Sequence, residues 1–534
     1  MAATAGREGK VTSNKMHKGM IMKTTSRHSL VTAALVGGLA MSGLATPVVA
    51  QEANFDKLAN LPFAEGRPTT ETAQILRDEL LFQRATQIYL WAMPLINTLG
   101  MQVGSEKTFG AGYNVLPIWK ERLDAKTQVT TPNSDVLYAM SYVDLGKDGP
   151  LVMEAPPGLQ GILLDYWQRP IPVDGGKYYG DVGLAGPDGG KGGKFLLLPP
   201  GYKGTVPTGY FVYRSGTNDV FIFLRGFYED PKNLTPAVTH LELTKIYPLN
   251  GEAGAKPMKF PDASGVPVNM LPISDGSTFE QLKLLVDRES DNLAGPDWLG
   301  MLAAIGIIKG KPFTPDAHSR EILDRAARTA YKTSRVIGFE EVVGGLSYMV
   351  YRDRHWTNPF ADGTPSNPSG AFNTSWVYTA GGYLALDSRI NFFTNYYSIS
   401  PGMFSYTPGK GANYLMAFTD SEGKPLSGAS DYRLSLPPNI PAKIFWSVTL
   451  YDAESSSGLA NGRPFPSLGS RDKPVQNADR STDLYFGPKA PAGTAGNWLA
   501  TVPGKGYFAI LRLYGPTEAS FDKSWKPGDF EVVK

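Results

Sequence analysis

The sequence contains no cysteine among its 534 residues. Disulfides, thiol nucleophiles, thiolate metal sites and covalent haem attachment are therefore excluded. Histidine is scarce as well, with five in the whole chain, so few imidazoles are available for metal binding or acid–base chemistry near neutral pH. Stability must come from buried area, which a chain of this length can supply.

The chain also lacks the short motifs of the common enzyme classes beyond residue 50. It has no H-E-x-x-H zinc motif, no G-x-S-x-G serine elbow, no P-loop and no G-x-G-x-x-G dinucleotide fingerprint. No nucleotide, haem or thiolate-metal cofactor is indicated, and the sequence identifies no other cofactor.

Long apolar runs are missing except at residues 30–44, and that run is too short to span a bilayer. It ends in the small residues Val48-Val49-Ala50 and follows the basic residues Lys15, Lys18, Lys23 and Arg27. This pattern predicts a secretory signal peptide cleaved after Ala50, hence a periplasmic or secreted product without a membrane span. Residues 1–21 precede an ordinary leader start and are interpreted as an over-long beginning or a remnant of cloning.

A strong net charge is absent once the leader is set aside. Removing its six basic residues and one acid from 52 Lys+Arg and 50 Asp+Glu leaves a formal charge of −3. No basic run remains, so neither nucleic acid nor an anionic membrane surface is indicated as a partner. The partners left open are a small-molecule or carbohydrate-like ligand and further copies of the chain.

What the chain does contain is a series of β-rich runs. The run 444–451 has the period-2 pattern of a strand, in which Ile444, Trp446, Val448 and Leu450 alternate with Phe445, Ser447, Thr449 and Tyr451. Residues 507–514 repeat this pattern. Further strands are predicted at 136–143, 161–167, 194–198, 219–225, 483–488 and 497–499. From residue 348 onward we expect only strands and turns. Short strands separated by turn signals favour sandwiches.

Helices are predicted before and between these runs. One covers 71–91, with Thr69 or Thr70 as N-cap and Pro94 kinking or ending it. A capping box of Ser277 and Glu280 opens a second helix. A third is expected to begin at Thr314 and to end near residue 338.

Several of these motifs resemble one bacterial family. Tyr89-Leu-Trp-Ala-Met-Pro-Leu95, Pro132-Asn-Ser-Asp-Val-Leu-Tyr138, the strand ending in Arg225 and the C-terminal blocks are similar, in order, to an exported family of paired domains of unknown function, numbered 1254 and 1214. Val136 stands where that family usually has threonine. The resemblance covers about residues 70–534.

The family resemblance implies a mainly β chain with a helical insert, and no agreed reaction. It implies an immunoglobulin-like β-sandwich, a small helical domain and a C-terminal jelly-roll-like β-sandwich. The expected divisions are 1–50 for the leader, 51–106 for an N-terminal helical segment, 107–254 for the first sandwich, 255–346 for the helical domain and 347–534 for the second sandwich.

The sharpest polar cluster of the front half surrounds Asp135. One interpretation is that Asn133 or Asp135 closes an Asx-turn before a strand. The other places Asp135 and Tyr138 in a cleft with Arg225, Asp165 or Tyr166 for acid–base work, with Asn133 in a binding role. Arg225 ends an apolar strand and is expected to need a carboxylate partner.

Arg512 raises the same question in the C-terminal half, because it shares a strand face with apolar residues. A structural ion pair with Asp452 or Asp483 is one account, and an anchor for an anionic ligand is the other. Binding candidates in the surrounding loops are Asn461, Arg463, Asn497 and Trp498, which suit carbohydrate or small polar ligands or simply cap the core.

The histidines offer no metal site. Those beyond residue 50 are His240, His318 and His355. Asp353 and His355 would share one face of a strand, but no third ligand is in view, so no metal is predicted.

The sequence therefore indicates an exported ligand-handling protein of unassigned activity. We place a periplasmic hydrolase or lyase, without a Cys or serine-elbow nucleophile, ahead of the alternative, a non-catalytic envelope binding or assembly protein. Substrate, metal dependence and oligomeric state are not readable from the sequence.

Overall fold

The computed structural model describes residues 55–340, 342–343, 346–347, 349–358, 386–403, 408–409 and 411–533. The predicted leader lies outside these residues and stays a prediction. Residues 55–62 belong to a separate N-terminal unit and contain a short helix at 55–59. The chain from Phe63 onward forms one compact unit.

Nine helices occur in the described part of this compact unit. They are α1 Thr70–Trp91, α2 Met93–Phe109, α3 Leu145–Asp148, α4 Thr235–Glu242, α5 Ser277–Arg288, α6 Pro296–Ala304, α7 Ala317–Phe339, α8 Leu386–Asn395 and α9 Glu518–Phe521. Within the described ranges, no helix combines the length and apolar character that crossing a membrane requires.

The strands form sheets of two or four. They are β1 Phe63–Ala64, β2 Arg67–Pro68, β3 Thr127–Gln128, β4 Leu137–Asp144, β5 Leu151–Ala155, β6 Gln160–Asp165, β7 Asp181–Val182, β8 Gly193–Leu198, β9 Phe211–Arg214, β10 Asp219–Gly226, β11 Lys245–Pro248, β12 Val268–Asn269, β13 Val342–Val343, β14 Leu346–Ser347, β15 Ala412–Ala417, β16 Tyr432–Leu436, β17 Ala442–Asp452, β18 Ser467–Gly469, β19 Thr482–Gly487, β20 Trp498–Ala500, β21 Tyr507–Pro516 and β22 Phe530–Val532.

Two four-stranded sheets form the front half, in the orders β4-β10-β6-β7 and β11-β5-β8-β9. Val220, Ile222 and Leu224 of β10 point into one hydrophobic core that draws side chains from both sheets. The alternate residues Phe221 and Phe223 belong to a different core on the opposite face. The period-2 alternation thus gives β10 two buried faces.

The C-terminal half repeats this plan with sheets β15-β21-β17-β18 and β20-β19-β16-β22. Leu511 and Leu513 of β21 lie in the core shared by these two sheets. Phe508 and Ile510 point the other way, into the core that Phe221 and Phe223 also reach.

This shared core, called the central core below, joins the two halves. Helices from three stretches of the chain fill it, because α1, α2, α5, α6, α7 and α8 all contribute buried side chains. One sheet of each half supplies the remaining surface. A strand buried on both faces needs apolar residues on both, which explains why β10 and β21 carry few polar side chains.

The helix starts follow local capping chemistry. Thr69 caps α1 as predicted, since its side-chain oxygen accepts a hydrogen bond from the Thr72 N–H at 3.1 Å. Two other predicted caps are wrong. Gly276, not Ser277, is the N-cap of α5, and Asp316, not Thr314, caps α7 by accepting from the Ser319 N–H at 2.7 Å.

The coarse prediction of a mainly β chain with helices is confirmed. The expectation of only strands and turns after residue 348 is wrong, because α8 lies there and is buried from Ser388 to Asn395. Asp353 lies in a turn and His355 in irregular backbone, so neither is on a strand. Helix α1 ends at Trp91, and Pro94 lies in the first turn of the next helix, α2, which begins at Met93. The domain boundaries stay a prediction.

Candidate functional site

Strands β4 and β10 place one tyrosine and one arginine side by side. Arg225 pairs in register with Tyr138 across the antiparallel ladder, so both side chains lie on the same face of the sheet. That face is the one whose earlier residues, Phe221 and Phe223, enter the central core.

Strands β15 and β21 repeat the arrangement in the other half. Tyr414 pairs in register with Arg512, and Tyr514 follows two residues later on the same face. Phe445 of β17 stacks on the Tyr514 ring at 4.1 Å between centroids, which fixes the orientation of that phenol.

The third wall comes from the end of α8 and the residues that follow it. Asn97 of α2 donates to the carbonyl oxygens of Phe393 and Tyr396 at 3.0 and 3.3 Å, and accepts from Gln168 at 2.9 Å. Gln168 in turn accepts from the Ser398 N–H at 2.6 Å. Two buried amides thereby hold this segment at the junction between the halves.

Together the three walls enclose a small cavity, here called the inner pocket. Its volume is about 50 Å³, room for a few ligand atoms. It is lined by Thr131, Asn133, Tyr138, Phe223, Arg225, Phe392, Tyr396, Tyr397, Ser398, Met403, Tyr414, Met416, Ile510, Arg512 and Tyr514. Two arginines and five tyrosines thus face one cavity, with no carboxylate among its described lining residues.

Neither arginine has the ion-pair partner that the sequence suggested. Arg512 is 4% exposed and donates to Thr449 Oγ1 at 3.2 Å and to the Thr131 carbonyl at 3.3 Å. Asp452 instead pairs with Lys505. Within the described ranges, no carboxylate oxygen lies within 4.0 Å of the Arg225 or Arg512 guanidinium. The predicted structural ion pairs are therefore wrong, and the anion-anchor account remains.

The tyrosines do not supply the missing negative charge. Burial raises the pKa of Tyr138 above its usual range, although Arg225 and Arg512 lower it. Burial likewise raises the pKa of Tyr397 and of Tyr514. These three phenols are therefore neutral near pH 7, and the charged side chains in the described lining of the inner pocket are the two arginines.

The backbone around the pocket is strained. Thr131 has φ 40° and Ser398 has φ 54°, both in the left-handed region that side chains with a Cβ rarely adopt. Gln168, whose side chain accepts a hydrogen bond from the Ser398 N–H, also lies in this region with φ 57°. Such conformations cost about 1–3 kcal/mol each and are concentrated at functional sites.

A second cavity, here called the outer chamber, adjoins the inner pocket and has a volume of about 490 Å³. Arg225, Met403, Tyr414 and Tyr514 line both. Asp181 is the single carboxylate among the described lining residues of the outer chamber. Burial raises the pKa of Asp181 to about 6. A hydrogen bond that Asp181 accepts from the Gly402 N–H at 2.8 Å and the positive charge of Arg225 act in the opposite direction.

Gly402 permits that contact with Asp181. A Cβ at this position would lie 2.7 Å from Asp181 Oδ1 and 2.8 Å from the Ala185 Cβ. The close approach of backbone to carboxylate therefore requires glycine.

The segment Thr131–Asp135, here called the junction loop, belongs to the front half and contacts the C-terminal half. Asn133 forms the predicted Asx-turn, since its Oδ1 accepts from the Asp135 N–H at 2.9 Å. Its Nδ2 meanwhile donates to the Tyr514 hydroxyl in the pocket. Asp135 accepts from Arg122 and from Ser467 Oγ, each at 2.9 Å.

The structure thus brings Tyr138, Arg225, Asn133 and Arg512 together and leaves Asp135 outside the lining of the pocket. Asp165 is paired with Arg169 Nε at 2.6 Å. The Tyr166 hydroxyl bonds to Gln102. Neither Asp165 nor Tyr166 lines either cavity.

The loop candidates of the C-terminal half form a separate cluster. The Arg463 guanidinium lies 5.2 Å from the Trp498 ring centroid and donates to the Trp498 carbonyl at 2.9 Å. Asn461 and Asn497 donate to backbone carbonyls. These donors stabilise the loops, and a binding role for them stays a prediction.

Sequence reasoning missed Thr131, Tyr396, Tyr397, Ser398 and Tyr414. Tyr414 could have been found from the sequence if the pairing of β15 with β21 were known, because that pairing places Tyr414 opposite Arg512. The adjacent phenols Tyr396 and Tyr397 follow a helix whose faces are all buried, and such a helix has no amphipathic stripe to reveal it.

Family comparison now identifies the two halves. The protein of unknown function DUF1254 matches residues 113–248, and the protein of unknown function DUF1214 matches residues 411–518. The chain carries these paired domains, DUF1254 and then DUF1214. The order stated from the sequence resemblance is confirmed.

No curated protein matches the chain. Among solved structures, the VPA0106 protein of Vibrio parahaemolyticus is 20% identical, with a TM-score of 0.49 over 85% of this chain and 100% of that one. A putative uncharacterised protein of Burkholderia cenocepacia is 12% identical, with a TM-score of 0.35 over 90% of this chain and 94% of that one. Likeness at this level assigns no activity.

The limits of the two domains show that both contribute side chains to the inner pocket. DUF1254 supplies Tyr138 and Arg225, and DUF1214 supplies Tyr414, Arg512 and Tyr514. The chain between the two matches supplies the third wall. Each domain contributes one guanidinium.

Proposed function

We propose that this protein is an exported ligand-handling protein that binds a small anionic group in the inner pocket through Arg225 and Arg512. The observation that carries the proposal is the pair of guanidiniums in one cavity without a carboxylate within 4.0 Å among the described residues. A buried charge without a counter-charge is costly. An anionic ligand offsets that cost.

The chemistry of the lining suits an oxyanion. Guanidinium groups match the geometry of carboxylate, sulfate and phosphate oxygens. Neutral phenols such as Tyr138 and the Asn133 amide add donors at the same cavity. The strained Thr131 and Ser398 support a site held in shape before ligand arrives.

Binding without catalysis is favoured over the hydrolase or lyase, because no carboxylate or imidazole lines the described part of the inner pocket. Asp135 is engaged by Arg122 and Ser467. For the enzyme alternative, Asp181 is the better candidate base, since it lines the outer chamber beside Arg225 with a pKa of about 6. Export rests on the leader pattern, and the immunoglobulin-like and jelly-roll-like sandwich types rest on the family resemblance.

Calorimetric titration with acetate, sulfate and phosphate at constant ionic strength tests the proposal. Replacing one guanidinium by Arg225→Gln or Arg512→Gln is expected to weaken binding of the best anion at least about tenfold, the size of a charged hydrogen bond of ~1.5–3 kcal/mol. Arg325→Gln is the matched control, because its side chain is 68% exposed on α7. Equal affinities for wild type and both pocket variants would refute the proposal.

A further inference from the structure

The outer chamber differs from the inner pocket in both size and lining. Its volume of about 490 Å³ falls in the range of small-molecule sites, whereas the inner pocket holds about 50 Å³. Its lining also includes the apolar side chains of Ile162, Val182 and Ala185. The two spaces share four lining side chains and therefore adjoin.

Large apolar side chains at the outer chamber are open to solvent. Leu184 is 57% exposed, Phe227 46% and Ile444 64%, and all three line the chamber. Clustered exposed apolar side chains beside a cavity mark a binding surface more often than scattered ones do. A ligand with an apolar body would cover them.

The charges assign the two ends of such a ligand. Arg512 lines only the inner pocket, Asp181 lines only the outer chamber, and Arg225 lies between them. The inner pocket therefore carries two positive charges, while in the outer chamber Asp181 opposes Arg225. A negative group is favoured inside and an uncharged body outside.

We propose that the ligand is an amphiphile with one anionic head and a single apolar chain. The head binds between Arg225 and Arg512, and the chain lies in the outer chamber and emerges past Phe227 and Ile444. This inference rests on the proposed function, because it presupposes an anion between the two arginines.

The test is a chain-length series of straight-chain carboxylates from acetate to dodecanoate, titrated below their micelle concentrations. Affinity is expected to rise about fourfold for each methylene that enters the chamber, and then to level off. Alkyl sulfates and alkyl phosphates of matched length identify the head group. Alcohols of matched length should bind at least about tenfold more weakly.

The outcomes separate the two proposals. If carboxylates of every length bind equally and depend on Arg512, the anion site stands and the amphiphile inference fails. If alcohols bind as tightly as acids, or if no anion binds, both fail.

Variants at the rim add a second test. Phe227→Ser and Ile444→Ser should weaken dodecanoate binding about tenfold while leaving acetate binding unchanged, because only the chain reaches these side chains. Val475→Ser is the matched control, since Val475 is 71% exposed and lines neither cavity. Unchanged dodecanoate affinity in both rim variants would overturn the inference, and acetate binding reports that each variant is folded.

Discussion

Arg225 and Arg512 occupy one cavity, but the fold supports them differently. Arg512 donates to Thr449 and to the Thr131 carbonyl, whereas the Arg225 guanidinium has no hydrogen-bond acceptor among the described residues. It lies 5.1 Å from the centroid of the Phe223 ring. Of the two arginines, Arg225 therefore contributes less to the stability of the unliganded protein.

We expect Arg225→Met to stabilise the unliganded protein by about 1 kcal/mol, because it removes a half-buried charge that repels Arg512. Stabilisation of the protein by a bound anion should be lost at the same time. Chemical denaturation with and without sulfate measures both effects. Arg325→Met serves as control, and a destabilised Arg225→Met protein would contradict the expectation.

Asp181 should make anion binding depend on pH. Its pKa is about 6 in the folded protein against an ordinary 3.8, so the folded state binds this proton more tightly than the unfolded chain does. Its contribution to stability is full below about pH 4 and is lost as pH rises through about 6. Protonation also removes the negative charge beside Arg225.

Sulfate affinity is therefore expected to rise about tenfold between pH 7 and pH 5, the effect of one charge at roughly 10 Å with an effective dielectric constant near 20. Sulfate does not titrate in this range, so the change reports the protein. Asp181→Asn should bind sulfate tightly at both pH values. An unchanged pH profile in that variant would show that another group is responsible.

At the scale of single elements, helix α8 and the junction loop shape the site. Strands β17 and β21 could be predicted from their period-2 alternation, and β4 and β10 from their β-rich apolar runs. Arg225 and Arg512 were found because each lies on such a strand. Helix α8 was not predictable, since all its faces are buried and its polar residues bond to backbone or to other buried groups. Local pattern cannot reveal an element whose partners are distant in sequence.

The Asn97 amide offers a test of how strictly α8 is positioned. Asn97→Ala removes hydrogen bonds to the Phe393 and Tyr396 carbonyls and the one from Gln168. We expect a loss of about 2–3 kcal/mol in unfolding free energy together with weaker sulfate binding. Gln74→Ala, at an exposed i,i+4 pair on α1, is the control. Normal affinity in a destabilised Asn97→Ala protein would separate the helix from the site.

Across the whole molecule, the two domains are joined by the central core and by the junction loop. The sequence could place each sheet in its half, but not the meeting of Arg225 with Arg512, because they come from different domains and no periodicity relates them. The polar cluster at Asp135 stands out in the sequence by its composition. Its contacts with Arg122 and Ser467 show that it links the domains instead of lining the pocket.

Asp135→Ala should therefore destabilise the protein as a unit. Leaving the largely buried Arg122 without its partner costs about 3 kcal/mol, and the shared core predicts that both domains still unfold in one transition. Scanning calorimetry measures both. Asp291→Ala, at a carboxylate 89% exposed, should change little. Two separated transitions in the Asp135 variant would mean that the domains are coupled mainly through this loop.

The division of the guanidiniums between DUF1254 and DUF1214 also has a mechanical consequence. An anion bound by both guanidiniums would hold the two domains together, since separating them would break its contact with at least one arginine. Single-molecule stretching should therefore show a higher rupture force between the domains when the anion is bound.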